Sequence, residues 1–213
     1  MDEGDPGDEP GADGDDADVR DGGRPALADA RGVESVYQPA EDSALLARTA
    51  REYVEPGDRA LDVGTGSGYV ASVLGDAGAV AVGVDLSPLA CRQAAANGVS
   101  VVRGDLLSPF RDDVFDLVVF NPPYLPTPQK KEWDDWMEHA LSGGEDGRRL
   151  VDPFLDDVER VLAPGGEALL LVSSLTDPEA VRSYARERNL ESERVAREKH
   201  PYEKLVVLRF VPM

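Results

Sequence analysis

The chain has 213 residues, enough for one domain with a buried core and a short extension. Its 42 acidic and 22 basic side chains leave a net charge of −20, which repels nucleic acid at ordinary salt, and a lone cysteine, Cys91, excludes an intrachain disulfide. No apolar run is long enough to span a bilayer, so a soluble protein of a reducing cytoplasm is expected.

Residues 1–30 hold 11 Asp or Glu, 2 Arg, many Gly and Pro and almost nothing to bury, the composition of a disordered acidic tail. Of the 22 basic residues 18 are Arg and 4 are Lys. Such an acid-rich surface resembles those of proteins adapted to multimolar salt, and a halophilic setting is expected; thermal melting in low and molar KCl tests it.

From Arg31 to the C-terminus a single domain is expected. Tyr37-Gln38-Pro39-Ala40-Glu41-Asp42-Ser43 leads into a helix over Ala44–Ala50, with Leu45, Leu46 and Ala50 facing inward. Asp42 or Ser43 can cap that helix, or the two carboxylates and Tyr37 can line a ligand site; both readings stand. Ala60-Leu61-Asp62-Val63 is a short strand that runs into Gly64-Thr65-Gly66-Ser67-Gly68 and then a helix from Tyr69. A strand–loop–helix of this kind presents backbone N–H groups and a positive helix end to a polar ligand. The glycine spacing is not that of a dinucleotide fingerprint, and Asp62 asks for a cationic partner rather than a pyrophosphate.

Ala79–Val84 is a continuous apolar run, expected to be buried on both faces of a parallel sheet, and it ends in Asp85. An acid about 20 residues beyond a glycine loop is placed to accept ribose hydroxyls. Ser87-Pro88 opens a helix stopped by Asn97-Gly98, on which Cys91 reads as a small core residue. The third strand, Val99–Arg103, is followed by Gly104-Asp105-Leu106, so three strands lead to Asp62, Asp85 and Asp105. Any one could cap a helix. Together they favour a nucleoside-sized ligand carrying an ammonium group, a ribose and an exocyclic amine.

The fourth strand, Phe115–Phe120, ends in Asn121-Pro122-Pro123-Tyr124. The paired prolines remove two donors and leave the Asn121 and Pro122 carbonyls as acceptors; beside them the Asn121 side-chain oxygen completes a fork matched to an NH₂ group, on which Tyr124 can stack. Residues 125–146 then form a long polar segment in which Trp133 and Trp136 either anchor a loop to the core or help it close over a substrate. His139 has no spaced ligand partner, and no metal site is expected. A helix over 149–162, a turn at Ala163-Pro164-Gly165-Gly166, a strand over 167–172, a helix over 177–189 and two β runs at 193–198 and 205–210 complete a doubly wound, mostly parallel α/β sheet of seven strands with an antiparallel C-terminal hairpin strand. Its third strand is expected at an edge, where a partner can add a strand.

The succession Tyr37-Gln-Pro-Ala-Glu-Asp-Ser, Asp62-Val-Gly-Thr-Gly-Ser-Gly, Val84-Asp85, Gly104-Asp105-Leu106 and Asn121-Pro-Pro-Tyr124 resembles class I S-adenosylmethionine-dependent methyltransferases. More narrowly it is similar to the HemK/PrmC-type family that methylates glutamine in translation release factors, from about Val36 to the C-terminus. Ser142-Gly143-Gly144-Glu145-Asp146-Gly147-Arg148 resembles the glycine-rich segment that follows the signature motif in that family. Bacterial members carry a helical substrate-reading domain before this core, and the chain looks like the short archaeal and eukaryotic branch. The resemblance implies S-adenosylmethionine as cofactor, held by Tyr37, Glu41, Asp42, Ser43, Asp62, Gly64, Thr65, Gly66, Gly68, Asp85, Leu86, Asp105, Leu106 and Asn121. It places Asn121, Pro122, Pro123 and Tyr124 at the methyl acceptor, and implies a release-factor substrate and a small zinc-ribbon activator subunit near Val99–Arg103. Alternatives are an adenine N6 DNA methyltransferase, a small-molecule methyltransferase and a non-catalytic nucleoside-binding module.

Overall fold

The computed structural model describes residues 40–124 and 143–213, all within the unit Glu34–Met213. The expectations for the acidic tail, Tyr37, Trp133, Trp136, His139 and Ser142 lie outside the described residues. The described elements run α1 (Glu41–Ala50), β1 (Arg59–Val63), α2 (Tyr69–Asp76), β2 (Val80–Asp85), α3 (Pro88–Ala96), β3 (Ser100–Arg103), β4 (Phe115–Phe120), α4 (Val151–Val161), β5 (Leu162–Ser173), α5 (Pro178–Arg186), β6 (Leu190–Lys199) and β7 (Lys204–Pro212). The strands form one seven-stranded sheet in the order β3-β2-β1-β4-β5-β7-β6. Strands β1 to β5 are parallel and the last strand is antiparallel, as expected; β7 takes its place between β5 and β6, an order not anticipated.

Period-two alternation divides the core into two layers. Leu117 and Val119 of β4 and Leu169 and Leu171 of β5 pack with Leu45, Leu46, Val70 and Leu74 from α1 and α2. Val118 and Phe120, with Ala168, Leu170 and Val172, face Phe154, Leu155 and Val158 of α4 and Val181 and Ala185 of α5. The Phe120 and Phe154 rings meet at 5.0 Å between centroids. This stacks the two middle strands between helices, so Leu117–Phe120 of β4 and Ala168–Val172 of β5 are continuous apolar runs.

Four local expectations are corrected. Strand β2 is not buried on both faces: Val80 is 66% exposed, and on the side away from β1 no strand flanks it, because β3 pairs only with Val82–Asp85. Cys91 is half-buried rather than core, its thiol donating to the Asp85 carbonyl at 3.4 Å. Neither Asp42 nor Ser43 caps α1; the Ala44 N–H already donates to the Ala40 carbonyl at 3.0 Å, so the helix starts earlier and both side chains lie within its first turn. The Pro164-Gly165-Gly166 segment interrupts no strand. Leu162 pairs with Phe115 and Glu167 with Leu117, so these residues form an irregularity within β5.

Register sets the ligand end of the sheet. Val63 pairs with both Val84 and Phe120, so the residues that follow, Gly64, Asp85 and Asn121, emerge level with one another. Asp62 lies two residues below that level, beside Gly83 and Val119.

Candidate active site

The glycine loop folds over the end of β2. Thr65 N–H donates to the Val84 carbonyl at 3.0 Å, and Gly66 N–H donates to Asp85 Oδ2 at 3.0 Å. At its far side Asn97 Nδ2 donates to the Ser67 carbonyl at 2.9 Å, tying the loop to the end of α3. Gly68 has φ +84°, and a Cβ there would stand 2.9 Å from Val99 Cγ2 and 3.2 Å from Ala94 Cβ. Only glycine meets both conditions at once.

Asp62 is buried beneath this loop. Its Oδ2 accepts from Thr65 Oγ1 at 2.6 Å and from Ala71 N–H at 3.1 Å. Burial pushes its carboxyl up to about 7, against the downward pull of those two bonds, and Asp85 adds a smaller upward push. No lysine, arginine or histidine among the described residues pairs with it, so a bound cation would find its partner here. Burial also raises Asp85, which the N–H groups of Ser87 and Gly66 partly offset. Sequence reasoning missed Gly83 in this arrangement. A Cβ at Gly83 would lie 2.6 Å from Thr65 Cγ2 and Oγ1, so it is the missing side chain on β2 that lets Thr65 reach Asp62. The available signal was a glycine inside an apolar strand, which marks a close approach.

At the end of β4, Asn121 Nδ2 donates to Ser43 Oγ at 3.2 Å, bringing the first turn of α1 against the Asn-Pro-Pro-Tyr segment. Asn121 Oδ1 is buried and accepts no hydrogen bond from any described residue. Pro122 is buried and Pro123 and Tyr124 are half-buried. A Cβ at Gly147 would meet the Tyr124 carbonyl at 2.6 Å and Thr176 Cγ2 at 2.5 Å, which seats the glycine-rich segment directly on this motif.

The β6–β7 turn closes the other side of α1, a contact sequence reasoning did not anticipate. His200 Nδ1 lies 2.8 Å from Glu41 Oε2, and Arg48 pairs with Glu198. Glu203 accepts from Ser173 Oγ, and Lys204 N–H donates to Ser174 Oγ at 3.0 Å. Asp105 is exposed, Leu106 takes φ +46° in the turn closed by Ser108, and Leu86 is 53% exposed. These three stand at the same end of the sheet as Asp85 by register, without contacts that join them to Asp62 or Asn121.

A family model described as a methyltransferase domain matches residues 61–122, the stretch from β1 to the start of the proline motif. A protein of Methanocaldococcus jannaschii, provisionally named a protein N5-glutamine methyltransferase, is 35% identical over 180 residues, covering 81% of this chain and 90% of its own length. The human methyltransferase HEMK2 is 32% identical over 204 residues, covering 88% and 92% respectively. Among solved structures, the E. cuniculi Mtq2–Trm112 complex, described as responsible for methylating the translation termination factor eRF1, matches with a TM-score of 0.70 at 28% identity, over 83% of this chain and 98% of that one.

Proposed function

Because this chain belongs to the family of protein N5-glutamine methyltransferases that includes HEMK2, we propose that it transfers a methyl group from S-adenosylmethionine to the side-chain amide nitrogen of a glutamine in a translation termination factor. The observation that carries this reading is the buried Asn121 Oδ1, an acceptor without a donor at the head of the Asn-Pro-Pro-Tyr segment. A buried carbonyl left in that state costs about 1–3 kcal/mol, and an incoming NH₂ group relieves it.

The residues present suit the donor. Buried Asp62, without a cation of its own, would hold the donor's amino group, Asp85 its ribose, and Asp105 with Leu106 its adenine; Gly64, Gly66 and Gly68 keep the loop bare enough for close approach. When bound, S-adenosylmethionine supplies a methyl group made electrophilic by its sulfonium. The protein's own task is positioning. Glutamine's amide nitrogen is a weak nucleophile because its lone pair is delocalised into the carbonyl. Hydrogen bonds from its two N–H groups to Asn121 Oδ1 and the Pro122 carbonyl would fix its orientation and stabilise positive charge as it develops, with Tyr124 stacked on the amide plane.

Asp62 makes donor binding pH-dependent. Its folded carboxyl titrates at about 7 against an ordinary value of 3.8, so the ligand-free protein holds a proton across that window that the unfolded chain does not. Ligand-free stability therefore falls as pH rises towards about 7, and donor binding, which needs the carboxylate, releases the proton. Calorimetry should find affinity rising about tenfold from roughly pH 6 to roughly pH 8, then levelling, with the Asp62→Asn variant weak and flat. A wild-type affinity independent of pH removes this role.

Strand β3 is a sheet edge with Val102 exposed and Val101 half-buried, and we assign it to a small zinc-ribbon activator that adds a strand there. Val101→Lys should abolish activator capture while leaving the melting temperature close to wild type; retained capture rejects the surface. No helix among the described residues is long and apolar enough to cross a membrane, and the cytoplasm, where termination factors work, is the proposed location. The deciding assay incubates the chain, with and without activator, with labelled methyl donor and either termination factor or duplex DNA. Label on a glutamine of the factor supports the proposal. Label on DNA alone overturns it.

A further inference from the structure

We infer that Asp42 and Ser43 are positioning residues that set which way the Asn121 amide points, a role that rests on the functional reading above. An asparagine side chain can exchange its oxygen and nitrogen by a half-turn, and only one of the two arrangements offers an acceptor to a substrate amide. A serine hydroxyl cannot choose between them by itself, since it both donates and accepts.

The carboxylate beside it makes the choice. Asp42 Oδ1 accepts the Ser43 backbone N–H at 2.6 Å and the Ser43 hydroxyl at 3.3 Å. With its proton turned towards Asp42, Ser43 Oγ offers only lone pairs to its other neighbour, which is Asn121 Nδ2 at 3.2 Å. The reversed amide would set the Asn121 carbonyl against those lone pairs. Asp42 and Ser43 are 5% and 8% exposed, so water does not readily replace either partner. The remaining atom, Asn121 Oδ1, is the buried acceptor without a donor. Polarity thus runs from Asn121 N–H to Ser43 and from Ser43 O–H to Asp42. Glu41, the preceding residue of the same turn, is held from outside by His200.

The test reads the amide directly. In ¹⁵N-labelled protein without donor or acceptor, the two Asn121 Nδ2–H resonances, assigned by their loss in Asn121→Ala, should shift or broaden in Ser43→Ala and in Asp42→Ala, and return in Ser43→Thr. In turnover assays Ser43→Ala should lower kcat about tenfold, the worth of one orienting hydrogen bond, with the donor Kd within about twofold; Ser43→Thr should recover most of it. The double variant with Asp42→Ala should be no worse than the poorer single one, as members of one chain behave. Unchanged Asn121 resonances in Ser43→Ala overturn the inference, as does a raised donor Kd with kcat intact, which would make Ser43 a direct donor contact. Because the resonances need no acceptor, they report the orientation of the amide even if glutamine proves not to be the substrate.

Discussion

Replacing Asn121 with alanine should lower kcat by about 100- to 1,000-fold and leave the dissociation constant for S-adenosylmethionine within about threefold. The size follows from what is removed: a buried acceptor without a donor, which on the proposed function faces the place where a neutral amide nitrogen would acquire positive charge. The fold should hardly notice. Alanine deletes the bond to Ser43 Oγ, worth about 1 kcal/mol, and also deletes a buried oxygen that costs a comparable amount while it has no donor. A melting temperature equal to wild type, or slightly above it, beside a collapsed kcat is the expected pair of results. A raised donor Kd with kcat preserved would move Asn121 out of the acceptor role.

Gly83→Ala is expected to damage the site from behind. The new methyl group would arrive 2.6 Å from Thr65 Cγ2 and Oγ1 and 2.8 Å from Thr65 Cβ. Thr65 cannot retreat, since its N–H is fixed to the Val84 carbonyl and its hydroxyl to Asp62. Overpacking of this kind costs about 1–3 kcal/mol, and displacement of the loop should weaken donor binding by at least about tenfold. Thr65→Gly in the same chain removes all three close atoms, so it should restore part of the melting temperature without restoring affinity, because the bond to Asp62 is gone. A single variant that melts and binds as wild type would mean that the β2–loop approach carries no weight.

The residues proposed to carry the chemistry stand out in the sequence because each motif is local. Asp62 through Gly68 and Asn121 through Tyr124 are short runs, and parallel register alone brings Gly64, Asp85 and Asn121 to one level. Where a residue's meaning depends on a partner far along the chain, sequence was mute or misleading. Asp42 and Ser43 read equally as caps or as ligand-site residues, and only the structure shows that they lie within the first turn of α1 and that Ser43 meets Asn121. Val80 looks buried because β2 is apolar throughout, yet exposure depends on how far β3 reaches along it. Gly83 needed Thr65 to explain it, and His200 needed Glu41.

The clasp between the β6–β7 turn and α1 has a consequence for how the protein comes into being. Arg48 leaves the ribosome 150 residues before Glu198, which it must meet, and β5 keeps an open flank until β7 is made. Every strand that borders the glycine loop is therefore made long before the partners that hold α1 from outside. Until the final hairpin is translated, the outer partners of α1, Glu198 for Arg48 and His200 for Glu41, do not yet exist.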